Sequence, residues 1–434
     1  MLSRRLQIRI CSFLFVMAAL TVQVSAQTRP AFEVGAARRN ITPDTLLPLT
    51  GGMGPTSPAK GKQGKLMARA MVFRSGNETL AVVGLDLIGF PGVLGDRSRA
   101  LVPRIPADHI LIGSTHTHSA PDAYALPDGK GGHSGSLEYM YFVAKQAAAA
   151  INDALDHMQP AELRVASGIA EGRIAYNYYA PDLYDRRVGV LQARSLADGK
   201  TIGTLVNYAI HPEIMGAEHG IMSPDLVGPL CDLVESQTGG VAVFMNSAQG
   251  GMVTADNRLL NRPKDPVRAY WEDLSSWNEC ERIGKLLASE SLRIVNGAAW
   301  QRNPALVVRS RRVKFQVDSP EMWQVVEYSP LNYPHGADRS VTTQINLVKL
   351  GNAEILTIPG EALPNIGFYL KRKMKGEHNL LFGLTNDAFG YILTKVDFMS
   401  FPRYEYVSGA SLGEMTGEVL IQNALDMVSE MEGK

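Results

Sequence analysis

His116 and His118 stand two positions apart at the end of an apolar run, LIGSTHTHSAPD, in a chain that holds 9 histidines among 434 residues. In an extended strand residues two apart share a face, so both imidazoles can address one cavity, one as a metal ligand and the other working on substrate. Read alone, the pair is as readily a hydrogen-bonded polar cluster, and it needs partners. His211 ends a second apolar run, LVNYAIH, where Pro212 stops the strand from continuing; by itself it reads as a structural histidine. Glu361 follows a strand, a proline and a glycine in LTIPGEALPNIG, where a carboxylate can equally cap the next helix through its first-turn dipole. Two histidines and a carboxylate are nonetheless a ligand set of catalytic zinc sites, which keep a position free for water or substrate. Zinc lowers the pKa of a bound water to about 7 and polarises a carbonyl. That is chemistry for amide or ester cleavage, on condition that the fold unites the three residues.

From Phe32 onward short apolar strands alternate with longer amphipathic segments, as a sheet covered by helices requires. The expected class is α/β, with layered mixed sheets flanked by helices. Several strands stop at polar residues: His116 with His118, His211, Asn246 with Ser247, Glu361, and Asn386 with Asp387. Ligands in open α/β sheets collect outside strand ends, so one shared edge can gather them all. Residues 27–434 read as a single catalytic unit, with a possible subdomain from about residue 303, where charge and β-branched residues increase.

Forty-three Lys and Arg residues balance 43 Asp and Glu, a neutrality that gives no reason to expect a nucleic-acid partner. Residues 1–26 combine a basic start, the apolar stretch CSFLFVMAALTVQV and small residues at VSAQ, the pattern of a cleaved export signal. The expectation is a secreted or periplasmic protein without a stable membrane span. Cys231 and Cys280 then remain, which permits one disulfide without demanding it. Asp225 in MSPDLVG reads as a helix cap or as a pocket residue near His211, and Asp86 is a carboxylate within an apolar strand, costly unless paired.

The order of motifs VGAARRNITP, VVGLDLIGF, STHTHSAPD, NYAIHPE with SPDLVG, PGE and NDAFGYILT resembles the neutral/alkaline, non-lysosomal ceramidase family, along nearly the whole chain from about Val34. The resemblance implies zinc held by His116, His211, Glu361 and, in FGYILT, Tyr391, with His118 beside the metal to stabilise an oxyanion or shuttle a proton. It also marks departures. The family's Gly-Asp-Val-Ser-Pro-Asn element corresponds to NSAQGGMVTADN, where Val253 or, shifted by one, Thr254 takes the place of serine. Tyr178 stands after Asn177 where the family has arginine. The family's further immunoglobulin-like domain has no counterpart after the last motif, as in its shorter bacterial branch.

These readings converge on a zinc-dependent hydrolase that cleaves an N-acyl, ceramide-like amide or an ester by metal-activated water, with His118, Thr254 and Asp225 as candidate catalytic residues. Two alternatives stand beside it: a non-catalytic ligand-binding protein on the same fold, and a deacylase acting on a sugar- or peptide-like substrate. An apolar groove beside the metal favours lipid; a polar one favours sugar.

Overall fold

The structure, a computed structural model, describes residues 32–432 apart from 129, 266, 268 and 269. The expected export signal lies outside the described residues. Eight strands form the larger sheet: Phe32–Asn40 (β1), Met67–Ser75 (β2), Glu78–Leu85 (β3), Ile110–Ser114 (β4), Gln159–Ile169 (β5), Arg187–Ser195 (β6), Thr201–Tyr208 (β7) and Val241–Asn246 (β8). Their order in space is β8-β7-β6-β5-β1-β2-β3-β4. A second sheet runs Leu306–Gln316 (β9), Ser340–Leu350 (β10), Ala353–Thr357 (β11) and His378–Phe382 (β12), in that order.

Alternation along the strands builds the layers. On β2, Ala68, Ala70 and Val72 pack with the helix Leu137–Asp156 (α1), while Met71 and Phe73 point the other way. They join Val308, Val348, Ile355 and Phe382 of the second sheet in a core shared by both sheets. Helices Val227–Thr238 (α2) and Trp277–Asn296 (α3) cover the other half of the large sheet, with Val190, Val206 and Phe244 beneath them. The outer face of the second sheet is covered by Pro320–Tyr328 (α4), Pro364–Lys373 (α5) and Thr416–Glu432 (α6). Ser136, Ser276 and Ser319 cap α1, α3 and α4 by accepting from the third backbone N–H onward. The mixed α/β architecture expected from the alternating pattern is the one observed.

Within these two sheets three strand pairs are parallel, β3 with β4, β7 with β8, and β11 with β12, so within each pair the carboxyl ends lie together. What brings the pairs to one place is curvature. The edge strand β8 lies against β2, β3 and β4 at the other side of its own sheet. Glycine makes this possible: a Cβ on Gly84 of β3 would stand 2.5 Å from the Phe244 carbonyl oxygen, and one on Gly113 of β4 would stand 2.6 Å from the Met245 methyl. The second sheet is tied to the same edge by Ser114 N–H to Leu384 O at 3.2 Å and Gly383 N–H to Asn246 O at 3.0 Å.

Cys231 and Cys280 are both buried and free. Burial pushes the Cys231 thiol up to about 11, so neither the bridge nor a reactive thiol is found here. Among the described residues no helix is long and apolar enough to cross a membrane.

Candidate metal centre and cleft

The chain leaves β4 at Ser114, and the backbone then turns: His116 adopts φ +72°, in the left-handed region that a non-glycine residue enters at a cost. The two histidines therefore do not share a face of a strand, as their spacing suggests. A kink beyond the strand end brings them together, with ring centroids 4.7 Å apart. His116 is held there by its own N–H to Leu87 O at 2.9 Å and by Nδ1 to Ile88 O at 2.5 Å. His211, beyond the end of β7, is fixed in the same manner, with Nδ1 2.8 Å from Val253 O.

Each of these Nδ1 atoms faces a carbonyl, so each carries a proton there, and in the neutral ring each Nε2 presents a lone pair. Both lone pairs point at the Glu361 carboxylate: His116 Nε2 is 3.3 Å and His211 Nε2 is 3.1 Å from Oε2. His118 Nε2 lies 3.2 Å from His116 Nε2, and its Nδ1 lies 3.5 Å from Glu213 Oε2. The three imidazoles form a group close enough to hold one ion. Ring nitrogens and a carboxylate packed this closely need a positive charge among them, which a proton on His211 Nε2 or a metal ion in its place can supply. The separations also suit zinc, because a tetrahedron with bonds of about 2.0–2.1 Å has edges of about 3.3 Å. The donor set therefore fits the ion, and the carbonyls behind it supply the outer hydrogen bonds that metal-binding histidines use.

Electrostatics bear out the mutual dependence of these groups. Burial opposes charge at His211, but Glu361 raises the imidazole to about 9. Burial would raise Glu361, yet His116 and His211 hold it well below the usual carboxylate range. His118 is lowered, first by burial and then by its two imidazole neighbours.

Glu361 and Tyr391 are register partners in a short parallel pairing, Glu361–Ala362 with Tyr391–Ile392, so both face one cleft. Its volume, open mouth included, is about 720 Å³. The polar end holds His116, His118, Glu361, Tyr391 and Tyr124, and Met322, Val325, Val326, Phe389 and Leu412 make its walls apolar. The Tyr391 hydroxyl donates to Met252 Sδ at 3.3 Å, and burial followed by the charge of Glu361 raises its pKa far above the usual phenol.

Thr254 does not line this cleft. It lies on a short strand, Val253–Ala255, whose alternation sends Val253 and Ala255 into the core, and its backbone bridges to His211. The useful atom of this segment is the Val253 carbonyl. Asp225 is also away from the cleft. Its carboxylate accepts from Met215 N–H and Leu226 N–H, both at 2.8 Å, at the start of α2, and burial raises it to about 6. Asp86 has a similar task, accepting from Met67 N–H at 2.8 Å. Sequence reasoning missed Glu213, two residues after His211, and Met252; the apolar residues of α4 carried no signal beyond ordinary core spacing.

The fold and its centre define a layered α/β protein with a histidine and carboxylate cluster at converging strand ends. No family model matches the chain, and a search of curated proteins finds no match. Solved structures do match. The chain is similar to a neutral ceramidase from Pseudomonas aeruginosa, with a TM-score of 0.77 and 17% identity over 93% of this chain and 75% of that one. A ceramidase complexed with C2 gives a TM-score of 0.74, again at 17% identity, over 93% and 76% of the two chains. The chain has the neutral ceramidase fold.

Proposed function

We propose that the chain is an exported, zinc-dependent hydrolase that cleaves the amide bond of a ceramide-like N-acyl lipid. The observation that carries this reading is the convergence of His116 and His211 on Glu361, with His116 and Glu361 lining the polar end of an apolar cleft and His211 buried behind them. His116 Nε2, His211 Nε2 and Glu361 Oε2 would hold the ion, three protein ligands being the number that catalytic zinc sites use. Zinc bound there supplies a Lewis acid that polarises the scissile carbonyl and makes water nucleophilic near neutral pH.

The remaining groups divide the work around that centre. His118 is the most exposed of the three imidazoles, at 13% against 4% for His116 and 0% for His211. Glu213 Oε2 lies 3.5 Å from its Nδ1, and its Nε2, turned toward the centre, is the group to take a proton from water and deliver it to the leaving amine. Tyr391 keeps its proton, and its present acceptor is a thioether, a weak one. It can therefore donate instead to the carbonyl oxygen as charge develops. Serving as a fourth ligand, the role implied by the ceramidase resemblance, would require breaking the Met252 bond and losing that proton. Among the described residues no serine or threonine lines the cleft, which supports water as the nucleophile.

The apolar walls favour an acyl chain over a sugar, since each methylene buried there contributes about 0.8 kcal/mol. The test is zinc analysis of the purified protein followed by turnover of long-chain N-acyl lipid, short-chain ester and acylated sugar probes. The expected result is one zinc per chain and preferential cleavage of the long-chain amide. Zinc without turnover of any probe would favour a binding protein, and preference for the sugar would overturn the lipid assignment.

A further inference from the structure

Asn246 ends β8 with its side chain wholly buried. Its Nδ2 donates to Thr115 O at 3.1 Å and to Ile210 O at 2.7 Å. Its Oδ1 accepts from Ile210 N–H at 3.2 Å and from Ser247 N–H at 2.9 Å. A primary amide has two N–H donors and two acceptor lone pairs, and all four are in use. Two of its partners, Thr115 and Ile210, immediately precede His116 and His211.

The arrangement is specific to this edge of the molecule. β4, which leads to His116, and β8 are opposite edges of the large sheet in hydrogen-bonding order. No backbone ladder joins them, and the backbone bond between the two histidine-bearing segments, His118 N–H to Pro212 O at 3.0 Å, lies beyond the ligands, so the Asn246 amide is the tie on the strand side of both. The backbone carbonyl of Asn246 also accepts from Gly383 N–H at 3.0 Å, which connects the same residue to the second sheet, whose strand β11 leads to Glu361. We propose that Asn246 is a positioning residue that sets the separation of His116 and His211, and so the affinity and coordination geometry of the metal centre. This rests on the zinc reading above and adds a determinant that touches neither metal nor substrate.

Apolar or charged replacement cannot reproduce the pattern. Aspartate keeps the shape and the acceptors, but it loses both donors and puts two carbonyls against a carboxylate. The comparison residue is Asn207, equally buried, whose amide donates to the Met245, Asn246 and Leu381 carbonyls and to neither histidine-bearing segment.

The experiment measures zinc affinity, the visible spectrum of the cobalt-substituted protein and thermal melting in chelator, for wild type, Asn246→Asp, Asn246→Ser and Asn207→Ala. Outer hydrogen-bond partners of metal ligands typically contribute about 10- to 100-fold in affinity. Asn246→Asp is expected to lose zinc affinity by about that factor with an altered cobalt spectrum, whereas Asn207→Ala melts earlier with both metal readouts unchanged. Asn246→Ser, smaller and uncharged, carries the same test if the aspartate variant does not fold. Wild-type affinity and an unchanged spectrum in a folded Asn246 variant would overturn the proposal, as would an equal spectral change in Asn207→Ala. A wild-type protein that binds no metal would instead refute the zinc reading itself.

Discussion

Two buried carboxylates, Glu361 beyond a strand end and Asp225 at the start of α2, show what distinguishes a site from a structural element. Asp225 has its partners within the chain: two backbone N–H groups at 2.8 Å. Glu361 faces His116 and His211 at 3.3 and 3.1 Å, but the protons of both rings are committed to the Ile88 and Val253 carbonyls. Its charge is balanced by a second proton on His211, which Glu361 raises to about 9, or by a metal cation in that proton's place. Burial of a carboxylate is common to both regions; the difference is whether its partners are fixed backbone N–H groups or imidazoles that can exchange a proton for a metal ion. Buried polar groups are satisfied in native proteins, and a carboxylate ringed by imidazoles can be satisfied either by their protons or by a metal ion, whereas one bonded to backbone N–H groups has no such exchange open to it.

This contrast can be broken by substitution. The largest effect is expected for His211→Ala, which should bring hydrolysis to background and abolish the rise in melting temperature on adding zinc. For a wild-type protein that rise corresponds to about 2.7 kcal/mol at a free zinc concentration of 100 times Kd. Calorimetry with and without chelator checks it; a zinc-dependent rise that survives in the variant would contradict the assignment.

Asp225→Asn should do the opposite, retaining zinc while losing about 1–3 kcal/mol of stability at pH 4, because one backbone N–H loses its acceptor. The sign of its pH dependence follows from the raised pKa. Asp225 titrates at about 6 in the fold against 3.8 for the ordinary side chain, so its contribution is fully present below about pH 4 and is lost as pH rises through 6. The stability gap between wild type and Asp225→Asn should therefore shrink by up to about 3 kcal/mol between pH 4 and pH 7. Denaturant melts at the two pH values measure this, and a gap that widens would be inconsistent with it.

A smaller effect is expected away from both carboxylates. Val326→Phe narrows the apolar wall of the cleft and should reduce kcat/KM for long-chain relative to short-chain probes by about 10-fold, the scale on which apolar pockets discriminate. Zinc content should not change. An unaltered chain-length profile would place the acyl chain elsewhere.

Much of the centre was legible in the sequence because polar residues interrupt apolar strands conspicuously. His116, His211 and Glu361 each follow a strand of the α/β pattern, and parallel pairing carries such ends to one side of a sheet. What sequence could not supply was the means of convergence. The left-handed turn at His116, the close approach permitted by Gly84 and Gly113, and the four bonds of Asn246 depend on contacts between segments far apart in the chain. Thr254 was attractive for its hydroxyl, but strand alternation around Val253 decides which atoms reach the histidine. Met322, Val325 and Val326 of α4 have the spacing of any buried helix face, and only the packing shows that they border a cleft. Asp225 lay between two readings that differ solely in whether backbone donors surround it.

The most direct test of the central claim is a crystal structure of the zinc-loaded protein with anomalous scattering recorded at the zinc edge. The account predicts one strong peak with His116 Nε2, His211 Nε2 and a Glu361 oxygen at about 2.0–2.2 Å. A peak elsewhere, or one that any of these three residues fails to reach, would contradict it.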